Sequence, residues 1–158
     1  MIIKGIIDED FVNYKKSSMT IMMPKCSFKC EKECGKLVCQ NSKLAKSSNI
    51  DISNDRLVSR YKNNIYSDSI IFQGLEPFDS WEDLILLISD FRKAGVEDDI
   101  VIYTGYNEDE IEDKVDLLKA FKNIIIKYGR YIPDSEKVYD ELLGVELASK
   151  NQYAKRIS

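Results

Sequence analysis

Short apolar, β-branched runs alternate along the chain with segments of helical period. Met19 to Met23, Ser69 to Phe72, Asp99 to Thr104 and Asn123 to Tyr128 read as strands. Three of them hold unbroken apolar stretches, Ile70-Ile71-Phe72, Ile100-Val101-Ile102-Tyr103 and Ile124-Ile125-Ile126. That is the pattern of strands covered on both faces in a parallel sheet. Ser80 with Asp83 predicts a capping box, opening a helix in which Trp81, Leu84, Ile85, Ile88 and Phe91 keep helical spacing. Gly95 stands where a C-terminal cap belongs. Asn107 with Glu110 opens the next helix, with Ile111, Val115, Leu118 and Phe121 as its apolar stripe. A weaker helix starts at Ser53 and carries Leu57, Val58 and Tyr61.

This order predicts an α/β fold with right-handed crossovers, in which ligands sit at the carboxyl ends of the strands. Three loops would then share one edge: the one after Met23, Gln73-Gly74-Leu75-Glu76-Pro77, and Gly105-Tyr106. There is no internal repeat and no composition break, so residues 1–158 read as one domain.

Composition narrows the chemistry. With 23 Lys and Arg against 27 Asp and Glu, the net charge is −4. No long basic cluster occurs, which argues against a nucleic-acid partner. The chain has no histidine, which excludes Ser-His-Asp triads and His-ligated zinc. The apolar run Met1 to Ile7 is followed at once by Asp8, Glu9 and Asp10. It is too short for a signal-peptide core or a membrane span. The expectation is a cytoplasmic protein with no membrane partner, in a compartment that keeps thiols reduced.

There the cysteines carry the most information. Cys26, Cys30, Cys34 and Cys39 are spaced C-x3-C-x3-C-x4-C. In a reducing setting, such a cluster points to metal before disulfides. The spacing fits neither paired zinc knuckles nor the ferredoxin run C-x2-C-x2-C-x3-C-P. A small four-cysteine zinc-binding interaction module without catalysis stands as the competing reading.

Cys26-Ser27-Phe28-Lys29-Cys30 resembles the C-x-(apolar)-x-C opening of the radical SAM cluster loop. Gly74-Leu75-Glu76-Pro77 resembles the Gly-Gly-Glu-Pro strand end that contacts the methionine moiety of S-adenosylmethionine in that superfamily. Tyr103-Thr104-Gly105-Tyr106 resembles the Thr-Gly-Tyr of the small activases of anaerobic (class III) ribonucleotide reductase. Gly129-Arg130-Tyr131 and Ser149-Lys150-Asn151-Gln152 resemble, in turn, a Gly-x-Phe and a Ser-x-Asn-Gln stretch of the same activases. The matches run in chain order from Cys26 to Gln152.

The resemblance implies a partial open (β/α) barrel with a mostly parallel sheet. It also implies a [4Fe–4S] cluster on three cysteines, with the fourth iron left for S-adenosylmethionine. Cys39-Gln40-Asn41 resembles the third-ligand segment of the activases. The implied ligands are therefore Cys26, Cys30 and Cys39, in a cluster loop of about 24–42. Cys34 then lies on an inserted excursion, Glu31 to Val38. Cys34 as third ligand is the rival choice and keeps the loop tighter. The implied cofactor contacts are Phe28, Gly74, Leu75 and Glu76. Two departures stand out: Leu75 replaces a glycine, and Tyr128 replaces an aspartate common before the glycine. The implied activity is reductive cleavage of S-adenosylmethionine to place a glycyl radical on a partner, with electrons from a low-potential donor. The implied partner is a glycyl-radical enzyme, anaerobic ribonucleoside-triphosphate reductase above all. Gly129-Arg130-Tyr131 and the tail from Asn151 are expected to contact it, with a solvated basic terminus as the alternative for the tail.

Overall fold

The computed structural model describes residues 1–158. The strands are β1 (Ile2–Ile3), β2 (Gly5–Asp10), β3 (Ser18–Met23), β4 (Ile50–Asp51), β5 (Ser69–Gly74), β6 (Asp99–Tyr103), β7 (Ile124–Tyr128), β8 (Val138–Asp140), β9 (Val145–Leu147) and β10 (Tyr153–Arg156). The helices are α1 (Lys29–Cys34), α2 (Ser42–Lys46), α3 (Asn54–Asn63), α4 (Trp81–Lys93) and α5 (Glu112–Leu118). Six strands form one sheet in the order β10-β7-β6-β5-β3-β2. The four central strands are parallel, and β2 and β10 close the edges antiparallel. The sheet is open and mostly parallel, as the alternation predicts, and is consistent with a partial barrel.

The unbroken apolar runs are explained by register. Ile70, Ile100 and Ile124 lie side by side, as do Ile71, Val101 and Ile125 in the next row. The first row, with Phe72, Ile102 and Ile126, packs against Leu57, Leu84, Ile88, Phe91, Val115 and Leu118 of the helices. The second row packs against Tyr14, Leu143 and Leu147 on the opposite face. Both faces are covered, so an alternating pattern would have buried polar groups without partners.

The helix ends are less uniform than their sequences. Ser53 caps α3 as expected, accepting from Arg56 N–H at 3.4 Å. Beyond α4, Gly95 N–H bonds the Arg92 carbonyl and Val96 N–H the Phe91 carbonyl. This is a Schellman stop that needs the φ of +80° seen at Gly95. Ser80, however, makes no capping bond. The residues before it already turn as a 3₁₀ segment, Pro77–Ser80, which the Glu76 carboxylate initiates by accepting from Phe78 N–H. Ser80 is therefore not in the extended geometry of a cap, and its hydroxyl is buried without a partner. At the next helix, Asn107 N–H donates to Glu110 Oε2 at 2.9 Å, but the first turn is 3₁₀ and α5 starts only at Glu112.

The Met1 to Ile7 run forms β1 and the first half of β2. The tail is no loose terminus either, since Tyr153–Arg156 pairs with Tyr128–Ile125. No helix is long and apolar enough to cross a membrane.

Candidate iron–sulfur site

The carboxyl ends of the parallel strands open on a cavity of about 400 Å³. The cysteine loop leaves β3 at this edge and is tied down at once. Glu76 N–H donates to the Lys25 carbonyl at 2.7 Å, and Ser27 N–H to Asp79 Oδ2 at 2.5 Å. The Tyr106 hydroxyl holds the other oxygen of Asp79 at 2.6 Å. The three loops expected to share an edge thus bond one another. Phe28 has φ of +53°, a left-handed conformation that costs an L-residue roughly 1–2 kcal/mol. The turn brings Phe28 N–H to Cys26 Sγ at 3.2 Å and starts α1, which carries Cys30.

Cys26, Cys30 and Cys39 line the cavity and Cys34 does not. The Cys34 thiol donates instead to the carbonyls of Glu31 and Lys36, at 3.7 and 3.4 Å. Cys39 is held by its own N–H, bonded to Glu31 Oε1 at 3.1 Å. Two residues on, Asn41 Nδ2 reaches the Gly74 carbonyl at 2.6 Å. All four cysteines are free and half-buried. Burial pushes the Cys26 thiol up to about 11, against the opposing pull of Phe28 N–H. Burial raises Cys39 as well, and Asn41 N–H opposes it. An N–H aimed at sulfur favours the thiolate, the form that binds metal.

No three Cys, Asp or Glu side chains stand at metal-ligand spacing, so a metal would draw the thiols together and order the loop as it bound. The donor set fits an iron–sulfur group: soft thiolates, no imidazole, three of them lining one cavity.

The end of β5 lines the same cavity. Gly74 has φ of +96°, and a Cβ there would come within 3.0 Å of Leu44 Cδ2 and 3.1 Å of Met22 Cβ, so glycine is required. Gly74, Leu75 and Glu76 all line the cavity, as does Phe28. Glu76 is buried, and its carboxylate accepts from Phe78 N–H at 3.1 Å, the Thr104 hydroxyl at 2.7 Å and Gly105 N–H at 2.8 Å. Burial nonetheless pushes it up to about 7. Glu76 therefore cross-braces the loops after β5 and β6. A Cβ on Gly105 would lie 3.6 Å from Glu76 Oε2 and 3.7 Å from Cys30 Sγ, which sets Cys30 beside this brace.

Tyr128 faces the helix-side core, not the cavity. Its neighbour Lys127, on the other face of β7, lines the cavity. Sequence reasoning missed Lys127, although strand alternation puts it on the face of Ile125, and a lysine ending an apolar strand was the available signal.

Gly129-Arg130-Tyr131 and Ser149-Lys150-Asn151-Gln152 are bound mainly to each other. Asn151 Nδ2 donates to the Arg130 carbonyl at 3.0 Å, Gln152 Nε2 to the Gly129 carbonyl at 3.1 Å, and Ile132 N–H to Ser149 Oγ at 2.8 Å. Arg130 is buried and pairs with Glu110 at 2.5 Å and with Glu33 of α1 at 2.8 Å. These segments close the sheet and latch the cysteine helix.

Residues 16–152 match the 4Fe–4S single cluster domain family. No curated protein and no solved structure matches the chain. The match begins just before the strand that launches the cysteine loop and ends at the cavity-lining Gln152, so it takes in all the cysteines and the β5, β6 and β7 strand ends. The chain belongs to the 4Fe–4S single cluster domain family and carries a cluster-binding domain.

Proposed function

We propose that this chain is a radical S-adenosylmethionine activating enzyme that places a glycyl radical on a partner protein, as the activase of anaerobic ribonucleoside-triphosphate reductase does. The observation that carries the reading is the sharing of one cavity by Cys26, Cys30 and Cys39 with Gly74-Leu75-Glu76 and Thr104-Gly105, while Cys34 stays outside. Three cysteine ligands would leave one iron of a four-iron cluster open to S-adenosylmethionine. Cys26, Cys30 and Cys39 would hold the cluster, which would supply the electron for reductive cleavage of S-adenosylmethionine and so for hydrogen abstraction from a glycine of the partner.

The chain's own residues bind, orient and shield. Phe28 and Asn41 N–H groups favour the thiolates, and the Glu76 brace fixes the β5 and β6 loops against each other. Phe28, Leu75, Val145 and Leu147 give the cavity apolar walls. A volume of about 400 Å³ suits a cofactor-sized ligand. Free thiols fit a reducing, cytoplasmic setting.

Anaerobic reconstitution should load about four irons and four sulfides per chain. Reduction with S-adenosylmethionine present should then release 5′-deoxyadenosine. With anaerobic ribonucleotide reductase added, a glycyl radical should be visible by electron paramagnetic resonance. Stoichiometric zinc without iron uptake would return the chain to the zinc-module reading. A loaded cluster that cleaves no S-adenosylmethionine would remove the radical chemistry.

A further inference from the structure

One charge in the cavity has no assigned work. Lys127, the penultimate residue of β7, is 7 % exposed. Its ammonium makes one hydrogen bond, to the Gly129 carbonyl at 3.2 Å, and shares that acceptor with Gln152 Nε2. The Tyr103 ring stands 5.8 Å from Nζ. Glu76 acts on it only through space. A buried ammonium so short of partners is costly to keep.

The other titratable side chains around it are acidic in type. The cavity wall carries Glu31, Glu76 and Glu146 with the three thiols, and Lys127 is its sole Lys or Arg. Cys30 lines the same cavity as Lys127, with its sulfur beside Gly105 and Glu76. A four-iron cluster on three thiolates is an anion, and reduction makes it one unit more negative.

We infer that Lys127 is the internal counter-charge of the cluster, a buried ammonium that favours the reduced state over the oxidised one. The inference rests on the reading that the cavity-facing cysteines hold that cluster. Interior charges are weakly screened, so the cation gains more from the reduced cluster than from the oxidised one. Lys127 acts through charge alone and touches no reacting atom. Burial pulls its pKa down to about 8, which leaves it mostly protonated at neutral pH.

The test is a redox titration of reconstituted wild type, Lys127→Gln, Lys127→Met and Lys127→Arg, without S-adenosylmethionine. Dithionite supplies one electron per cluster, and no bond to the protein forms or breaks. At the poise that half-reduces wild type, the Gln and Met variants should show a reduced-to-oxidised ratio lower by about tenfold, which is about 59 mV for a one-electron couple. Lys127→Arg should restore the wild-type ratio. Thermal unfolding of the cluster-free proteins separates charge from packing, because Lys127→Met removes an unpaired buried charge and should leave the melting temperature unchanged or raised. Superimposed titration curves, or a neutral variant that fails through lost stability while wild type loads normally, overturn the inference alone. A wild type that takes up no iron overturns the cluster reading and this inference with it.

Discussion

Asn41 Nδ2 donates to the main-chain carbonyl of Gly74 at 2.6 Å, clipping the end of the cysteine loop to the end of β5. Cys39 sits two residues before the clip, so this one bond helps keep its thiol on the cavity wall. Asn41→Ala should cost the fold only about 1 kcal/mol, since the bond is solvent-exposed. It should speed iron release to a chelator by about fivefold, the same free energy expressed as a rate. Equal release from variant and wild type would show that the rest of the loop holds Cys39 unaided.

The cavity predicts a ligand pattern. Cys26→Ala, Cys30→Ala and Cys39→Ala should each abolish stable assembly, measured as iron per chain after anaerobic desalting. Cys34→Ala should keep most of the iron, because its thiol is engaged with the Glu31 and Lys36 carbonyls. A dispensable Cys39 with an essential Cys34 would mean that α1 unwinds on loading.

Glu76 makes the cluster-free protein sensitive to pH. Its carboxyl is pushed up to about 7 in the fold from an ordinary value of 4.5. Between those values the folded state binds the extra proton, so stability falls as pH rises from 4.5 to about 7 and then levels off. The fall attributable to this group is at most about 3 kcal/mol. Urea unfolding of Glu76→Gln across the same range should show a flatter slope, whatever its absolute stability. An unchanged slope would assign the pH dependence elsewhere.

Removing residues 151–158 should unfold the protein rather than merely uncouple it from a partner. The cut takes away β10, exposes the β7 edge and deletes the buried Gln152 bond to Gly129. Gln152→Ala is the milder version, expected to lose about 1–3 kcal/mol because the buried Ser149 N–H loses the Gln152 Oε1 acceptor, read by urea unfolding. A truncated chain that melts like wild type would show that β10 is an ornament of the edge.

The parallel core was legible because burial on both faces leaves a mark that depends on no partner: Ile70-Ile71-Phe72 and Ile124-Ile125-Ile126 can be satisfied in few other ways. The helices followed from 3.6-residue spacing, and Gly95 from the backbone conformation that a helix stop requires. Edge strands carry no such mark. Gly5 pairs with Met22, and Tyr153 with Tyr128, and partners so chosen by the fold leave β2 and β10 looking like a start and a tail. Local capping signals also yielded to context at Ser80, where the Glu76 carboxylate had begun the turn three residues earlier.

The same division runs through the site. Thiols close in sequence, on a loop after a strand, are enough to propose metal, because their reach is set by a few residues of chain. Cys34 and Cys39 are both within that reach, so spacing alone left the two open. Tertiary bonds from Glu31 to Cys39 N–H and from Asn41 to Gly74 turn Cys39 inward, while α1 turns Cys34 out. Lys127 is visible in the sequence as a letter, and strand alternation gives its face. Only the closure of β6, β7 and the cysteine loop around one cavity makes it the sole cation on a wall of carboxylates and thiols, since charge acts through distances that the chain's own order does not encode.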